Sequence, residues 1–184
     1  PEEALAAAEA GENHGVVVLA EWSDDGWQEL AGIRISTPGG SPSIREIRQA
    51  PTGLLWISLS YESSAQGTMP FGVALVDLSL SLVAYHHASY DTSETEQGIL
   101  PIPIDVSGIC FLGGDEVWLA TSQGAARIIG DDIKIFIESD GLRSELLRST
   151  VCSSGGMVYT ASSQGVGSYD GEAWTYAQEL RTTV

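Results

Sequence analysis

Gly114-Asp115-Glu116-Val117-Trp118-Leu119-Ala120-Thr121-Ser122-Gln123-Gly124 returns 41 residues later as Gly155-Gly156-Met157-Val158-Tyr159-Thr160-Ala161-Ser162-Ser163-Gln164-Gly165. Gly, Ala, Ser, Gln and Gly coincide, and Trp118 matches Tyr159. The alignment runs on without a gap, Gly130 onto Gly171 and Ile133 onto Trp174. An earlier copy begins at Gly53-Leu54-Leu55-Trp56-Ile57-Ser58-Leu59-Ser60. Its Trp56 precedes Trp118 by 62 residues, so the first copy carries inserted sequence.

Within each copy the β-formers lie in short runs punctuated by glycine. Residues 117–121 and 158–162 are rich in β-branched and aromatic side chains. Ser-Gln-Gly follows each run, and glycine provides the positive φ that a tight hairpin requires. A third run, a Gly turn and a fourth run complete the copy, while 44–49, 106–112 and 150–153 supply a run ahead of each Trp/Tyr strand. Four strands in about 41 residues is the period of a propeller blade. A helical repeat of that length would show a 3.6-residue apolar period, and none is present. The expected fold class is therefore all-β, made of four-stranded antiparallel meanders forming a partial β-propeller. Strands are expected at 44–49, 54–60, 73–78, 81–86, 106–112, 116–121, 124–129, 133–137, 149–153, 157–162, 165–169 and 173–177.

The implied organisation is an N-terminal linker or frayed helix at 1–15 (Ala- and Glu-rich over 2–10), then a half-blade of two strands at 16–34. A blade at 40–87 has a long loop between its second and third strands, and an inserted connection covers 88–105. Blades at 106–138 and 139–178 and a tail at 179–184 complete the chain. Three and a half blades cannot close a ring by strand exchange, which points to a fragment or to one arc of an assembly. The last blade and the half-blade should then present open faces and not pack on each other. A compact four-bladed ring with 2–13 as a missing strand is the less favoured arrangement.

Composition narrows the function. The chain has 184 residues, 43% of them hydrophobic, enough for a packed core. Eight Lys+Arg against twenty-five Asp+Glu give a net charge of −17. Nucleic acid and anionic membranes both require positive surface, so neither is expected as a partner. No apolar run is long enough to cross a bilayer, and no basic n-region precedes an apolar segment. Lys134 is the only lysine and follows no Gly-rich turn, so there is no P-loop. Cys110 and Cys152 lack CxxC spacing and lie in apolar runs; they read as two buried free thiols, leaving the redox compartment open.

At this point the copies resemble a known family. Gly53-Leu54-Leu55-Trp56-Ile57-Ser58 and Val117-Trp118-Leu119-Ala120-Thr121 followed by Gly124 are similar to the two-component regulator propeller repeat. Asp140-Gly141-Leu142-Arg143-Ser144 resembles the joint that opens a blade in that family, and Gly40-Ser41-Pro42-Ser43 is a weaker version of it. Tyr169-Asp170-Gly171-Glu172-Ala173-Trp174 resembles its outer hairpin. The resemblance covers roughly 40–178 and implies a sensor-type ectodomain of a bacterial signalling protein, periplasmic or extracellular.

Each candidate site has a packing or turn alternative. Trp56, Trp118 and Tyr159 recur once per repeat, which favours blade-to-blade contact over an aromatic ligand cage. His86 and His87 near Asp91 do not form a metal pair, since adjacent strand residues point to opposite faces; His14 sits in an apparent turn. Asp24-Asp25 and Asp131-Asp132 read as hairpin turns and not as a glycosidase pair or a calcium loop. Ser23-Asp24-Asp25-Gly26-Trp27 resembles the Asp box of sialidase-like propellers without keeping its spacing. There is no GxSxG, and Gly39-Gly40 has no strand-to-helix setting. The two insertions in the first copy, 61–72 and 88–103, should emerge on one side of one blade. They carry the candidate binding residues Tyr61, Met69, Phe71, His87, Tyr90 and Asp91, types suited to contact surfaces.

These residues favour a non-catalytic recognition or scaffold module that needs no cofactor. Its expected partners are further blades, from the same or another chain, and a protein, small-molecule or glycan ligand. Two alternatives are a fragment of a secreted glycan-acting or lyase-type propeller enzyme and a cytoplasmic protein-interaction propeller.

Overall fold

The computed structural model describes residues 13–37, 42–63, 67–76, 82–86 and 105–176. It contains four antiparallel sheets, each built from strands consecutive in sequence. The first is a hairpin of β1 (Asn13–Ser23) and β2 (Gly26–Thr37), turning through Asp24-Asp25. The second is the meander β3 (Pro42–Gln49), β4 (Leu55–Ser63), β5 (Gly67–Val76) and β6 (Leu82–His86). The third comprises β7 (Val106–Leu112), β8 (Glu116–Thr121), β9 (Gly124–Ile129) and β10 (Asp132–Phe136). The fourth comprises β11 (Leu147–Cys152), β12 (Val158–Ser162), β13 (Gly165–Tyr169) and β14 (Trp174–Tyr176). The second to fourth sheets are called blades 1 to 3 below. The N-terminal linker or helix expected at 1–15 is corrected at its end: residues 13–15 open β1, with His14 paired to Ser36 and not in a turn, while 1–12, the connection at 88–103 and the tail lie outside the described residues.

The repeated residues have repeated jobs. Thr121 ends β8, and its hydroxyl donates to the Gly124 carbonyl at 2.7 Å while accepting the Gln123 N–H at 3.1 Å. Ser162 accepts the Gln164 N–H in the same way at 3.1 Å. Gly124 and Gly165 then take φ of 120° and 113°, where a side chain would be strained. The Asp140-Gly141-Leu142 joint is equally local. A 3-10 turn at Glu138–Asp140 is closed by the Asp140 carboxylate accepting the Ile137 N–H at 3.0 Å, and Gly141 ends it at φ 103°. Leu142 is thereby delivered into the core. The aspartate pair Asp131-Asp132 lies at the turn between β9 and β10, as expected.

The sheets touch in sequence order. β1 and β2 meet β3; β3, β4 and β5 meet β7; β11 meets β7 and β8. No comparably extensive contact joins the first sheet to the last among the described residues. Two apolar clusters fill the joints between blades. One sets Trp56, Val73 and Leu75 of blade 1 against Ile109, Val117, Leu119 and Ile128 of blade 2. The other sets Trp118, Ala120, Ala125 and Phe136 of blade 2 against Leu147, Val158, Tyr169 and Trp174 of blade 3.

Two expectations are corrected. Cys110 and Cys152 are not free thiols: they form a disulfide, with Cα atoms 5.5 Å apart. Ladder partners share a face, and Cys110 pairs with Trp118 while Cys152 pairs with Val158. Trp118 and Val158 face each other across the joint between blades 2 and 3, so the two sulfurs meet there. The stretch at 61–72 is not an irregular loop over its described residues either. Tyr61–Ser63 continue β4 and Gly67–Gly72 begin β5, in register as Tyr61 with Met69, Glu62 with Thr68 and Ser63 with Gly67.

Candidate functional site

The hairpin β4–β5 stands out against the other blades. Trp56 and Trp118 hold the same repeat position, and in blade 2 the strand ends three residues later, at Thr121. In blade 1 the corresponding residue is Leu59, yet β4 continues through Ser63 and returns from Gly67. A ladder irregularity at Leu59/Ser60 marks the point of departure. Such a bulge bends a hairpin and raises its twist. The result is a two-stranded ribbon running past the point at which blade 2 turns. Below the bulge the pair is anchored by Trp56, Ile57, Ser58, Leu59, Val73 and Ala74, all buried.

Three candidate residues, Tyr61, Met69 and Phe71, belong to this ribbon, and Tyr61 and Met69 are direct ladder partners. The other three, His87, Tyr90 and Asp91, lie outside the described residues. His86 closes β6, opposite Val73. Among the described residues no group of three or more His, Cys, Asp or Glu is placed to hold a metal ion.

The aromatic repeat position divides in two. Trp56 is 5% exposed and meets Phe111 of blade 2 edge-on at 6.2 Å. Trp118 is 1% exposed; it stacks on Phe136 at 5.2 Å and touches Tyr169 at 5.4 Å and Trp174 at 6.2 Å. Both are packing residues, as their recurrence predicts. The Trp118 indole N–H donates to the Glu116 carboxylate at 2.7 Å, and Arg127 donates to the same oxygen at 2.8 Å. That hydrogen bond to Glu116 is the main reason the Arg127 guanidinium is held above its ordinary pKa. Tyr159, by contrast, is 40% exposed.

The first strands of the blades are tied to one another by polar contacts. Arg45 on β3 bridges Asp105, just ahead of β7, at 2.7 Å. Ser107 on β7 donates to the Leu147 carbonyl of β11 at 2.9 Å. Gly108 allows the closest approach: a β-carbon there would lie 2.7 Å from the Thr150 backbone nitrogen. The disulfide sits two residues further along. The residues that lock this joint, Cys110, Cys152, Gly108 and Ser107, were not singled out as a joint by the sequence reading. The signal was present: the cysteines are 42 residues apart in a 41-residue repeat. That one-residue offset puts the second on the opposite face of its strand.

No family model and no curated protein matches the chain. Solved structures do, at low identity. The extracellular domain assigned to the B. thetaiotaomicron one-component system BT4673 matches at 14% identity and a TM-score of 0.53, over 92% of this chain and 23% of that one. The extracellular domain of BT4673 assigned to a hybrid two-component system matches at 15% identity and a TM-score of 0.47, over 77% of this chain and 22% of the other. That of BT3049, from the same organism, matches at 14% identity and 0.38, over 94% and 32%. The chain thus spans less than a third of the length of the structures it matches. At the TM-score of 0.53 the likeness is one of fold alone, and it agrees with the partial propeller that the four-stranded meanders form.

Proposed function

We propose that this chain is an arc of a non-catalytic, sensor-type β-propeller exposed to an oxidising compartment, and that the β4–β5 ribbon is its contact element. The ribbon is the observation that carries the reading. A rigid blade holds a paired hairpin beyond the point where blade 2 turns, and that extension carries Tyr61, Met69 and Phe71. Function gathers on such additions to a regular scaffold. Two further facts support the compartment. The inter-blade disulfide suits an exported protein, since cytosolic thiols are kept reduced. The solved domain that shares the fold at a TM-score of 0.53 is an extracellular one. The residue types in the extension, two aromatics and a methionine, favour an oligosaccharide or an extended peptide as the ligand.

The test replaces 60–71 by the four-residue turn Thr121-Ser122-Gln123-Gly124 of blade 2. Thermal shift is then measured for both proteins against a panel of oligosaccharides and of extended peptides. At least one compound should raise the melting temperature of the parent protein and leave the short-hairpin variant unmoved. A variant that keeps every response of the parent would remove the ribbon from the site.

A further inference from the structure

The disulfide between blades 2 and 3 lies towards one rim of their joint. Cys152 is the last residue of β11, and Cys110 stands two residues before the end of β7. The turns that follow, at 113–115 and 154–156, are exposed. Both cysteines pack on the cluster around Trp118 yet keep part of their surface exposed. The two sulfurs have different surroundings. Thr150 precedes Cys152 by two residues on β11 and so shares its face. Its hydroxyl lies 3.6 Å from Cys110 Sγ. A disulfide sulfur carries no hydrogen, so Thr150 is the donor in that contact. The same hydroxyl donates to the Tyr159 carbonyl at 3.1 Å. One proton thus serves two acceptors, and one of them is Cys110 Sγ. Among the described residues no such donor stands at Cys152 Sγ.

We propose that the Cys110–Cys152 bond is a reducible switch on this joint, opened by a dithiol whose thiolate attacks Cys152 and expels Cys110. Exchange runs faster when the departing sulfur is the better stabilised thiolate. A hydrogen bond to the charged form supplies that stabilisation. As the S–S bond breaks, the Thr150 hydroxyl turns from the Tyr159 carbonyl to the Cys110 sulfur. The first step joins the attacking sulfur to Cys152 and leaves Cys110 as a thiolate. In the second, the other thiol of the dithiol attacks its own partner sulfur and releases Cys152. The dithiol ends as a disulfide, having given two electrons, and its two protons end on Cys110 and Cys152. The switch acts on one joint of the two. Between blades 1 and 2 the position of Cys110 is held by Arg48, the ladder partner of Trp56, and that of Cys152 by Phe111, 41 residues earlier. Reduction therefore unties blade 3 from blade 2 and leaves the contact of blades 1 and 2 as it was. The inference is independent of what the β4–β5 ribbon binds.

The test treats the oxidised, folded protein with glutathione, stops the reaction early with excess N-ethylmaleimide, and maps both groups by peptide mass. Glutathione should be found on Cys152 and the maleimide on Cys110, at a rate that low concentrations of denaturant leave unchanged. Dithiothreitol should carry the same reaction on to two free thiols. Glutathione on Cys110, or a rate that rises with denaturant in step with global unfolding, would overturn the proposal. Thr150→Val is the second measurement, since it removes the donor and keeps the shape of the side chain. It should slow exchange about fivefold in the folded protein and leave the rate in the unfolded protein unchanged. Thr150→Ser should restore the parent rate. A Thr150→Val protein that exchanges as fast as the parent, or faster because its joint is looser, would also overturn it.

Discussion

At the scale of residues, the joint between blades 2 and 3 shows how much depends on register. Alternate residues of a strand point to opposite sides, so residues one full repeat apart look the same way. Cys110 would be matched in register by Val151, and the two would face away from each other. Cys152 is one residue later and looks back at Cys110. A count of two cysteines without zinc spacing is neutral evidence; their spacing relative to the repeat is what pairs them. Closing a loop of 42 residues restricts the unfolded chain, and the loss of that restriction in Cys110→Ser/Cys152→Ser should cost about 2–4 kcal/mol. Denaturant unfolding of the double variant against the oxidised parent measures this, and equal midpoints with equal slopes would refute it. Trp118 belongs to the same joint. It is 1% exposed among Phe136, Tyr169 and Trp174, and its indole N–H is satisfied by Glu116. Trp118→Ala should destabilise by about 3–5 kcal/mol, as large-to-small changes in a core do. The role of Trp118 was legible in the sequence because it recurs with each blade. The exposure of Tyr159 was not, because the same recurrence predicts burial and only the neighbouring sheet decides it.

At the scale of elements, strand positions were the most legible feature. β7, β8, β9 and β13 lie where alternation and turn residues put them, because Ser-Gln-Gly and Gly-Asp are explicit punctuation. The β4–β5 ribbon escaped that logic. Ser60-Tyr61-Glu62-Ser63 and Gly67-Thr68-Met69-Pro70 mix polar, aromatic and turn-forming residues, so the stretch offers no alternating apolar period to read. The turn between β13 and β14 was legible, and it titrates. The Asp170 carboxylate accepts the backbone N–H groups of Glu172 and Ala173 at 2.9 Å each. The Ala173 and Glu172 hydrogen bonds favour the charged form and hold its pKa below the ordinary aspartate value. A carboxyl with a depressed folded pKa contributes to stability above its unfolded value, near pH 3.9, and loses that contribution as pH falls through the folded value. The Glu172 and Ala173 amide resonances should therefore titrate together, with a midpoint below that of a free aspartate. Asp170→Ala should abolish the step. A midpoint at or above the ordinary value would contradict the hydrogen-bonded turn.

At the scale of the whole molecule, the described residues form a row of sheets in which each extensive contact is with the next. Stability in such an array divides into the strength of each unit and of each joint. The joints here are unequal. Blades 1 and 2 share an apolar cluster and the Arg45–Asp105 bridge, which is partly exposed and so contributes little. Blades 2 and 3 share a larger aromatic cluster, the Ser107 hydrogen bond to Leu147, the close approach at Gly108 and the disulfide. The Gly124 N–H also donates to the Glu145 carbonyl at 2.8 Å, stitching the β8–β9 turn to the segment that leads into β11. β7–β14 should therefore open as one cooperative unit while the disulfide is intact, with β1–β2 exchanging first. Native-state hydrogen exchange checks this on amides of β8 and β12, such as Leu119 and Thr160. In the oxidised protein both should report the same opening free energy and the same dependence on denaturant. On reduction the covalent tie is lost but the aromatic cluster remains, so β12 should separate from β8 and exchange at lower denaturant. Distinct opening energies for Leu119 and Thr160 in the oxidised protein would mean that each blade is its own unit. Coincident values after reduction would mean that packing alone, without the disulfide, couples them.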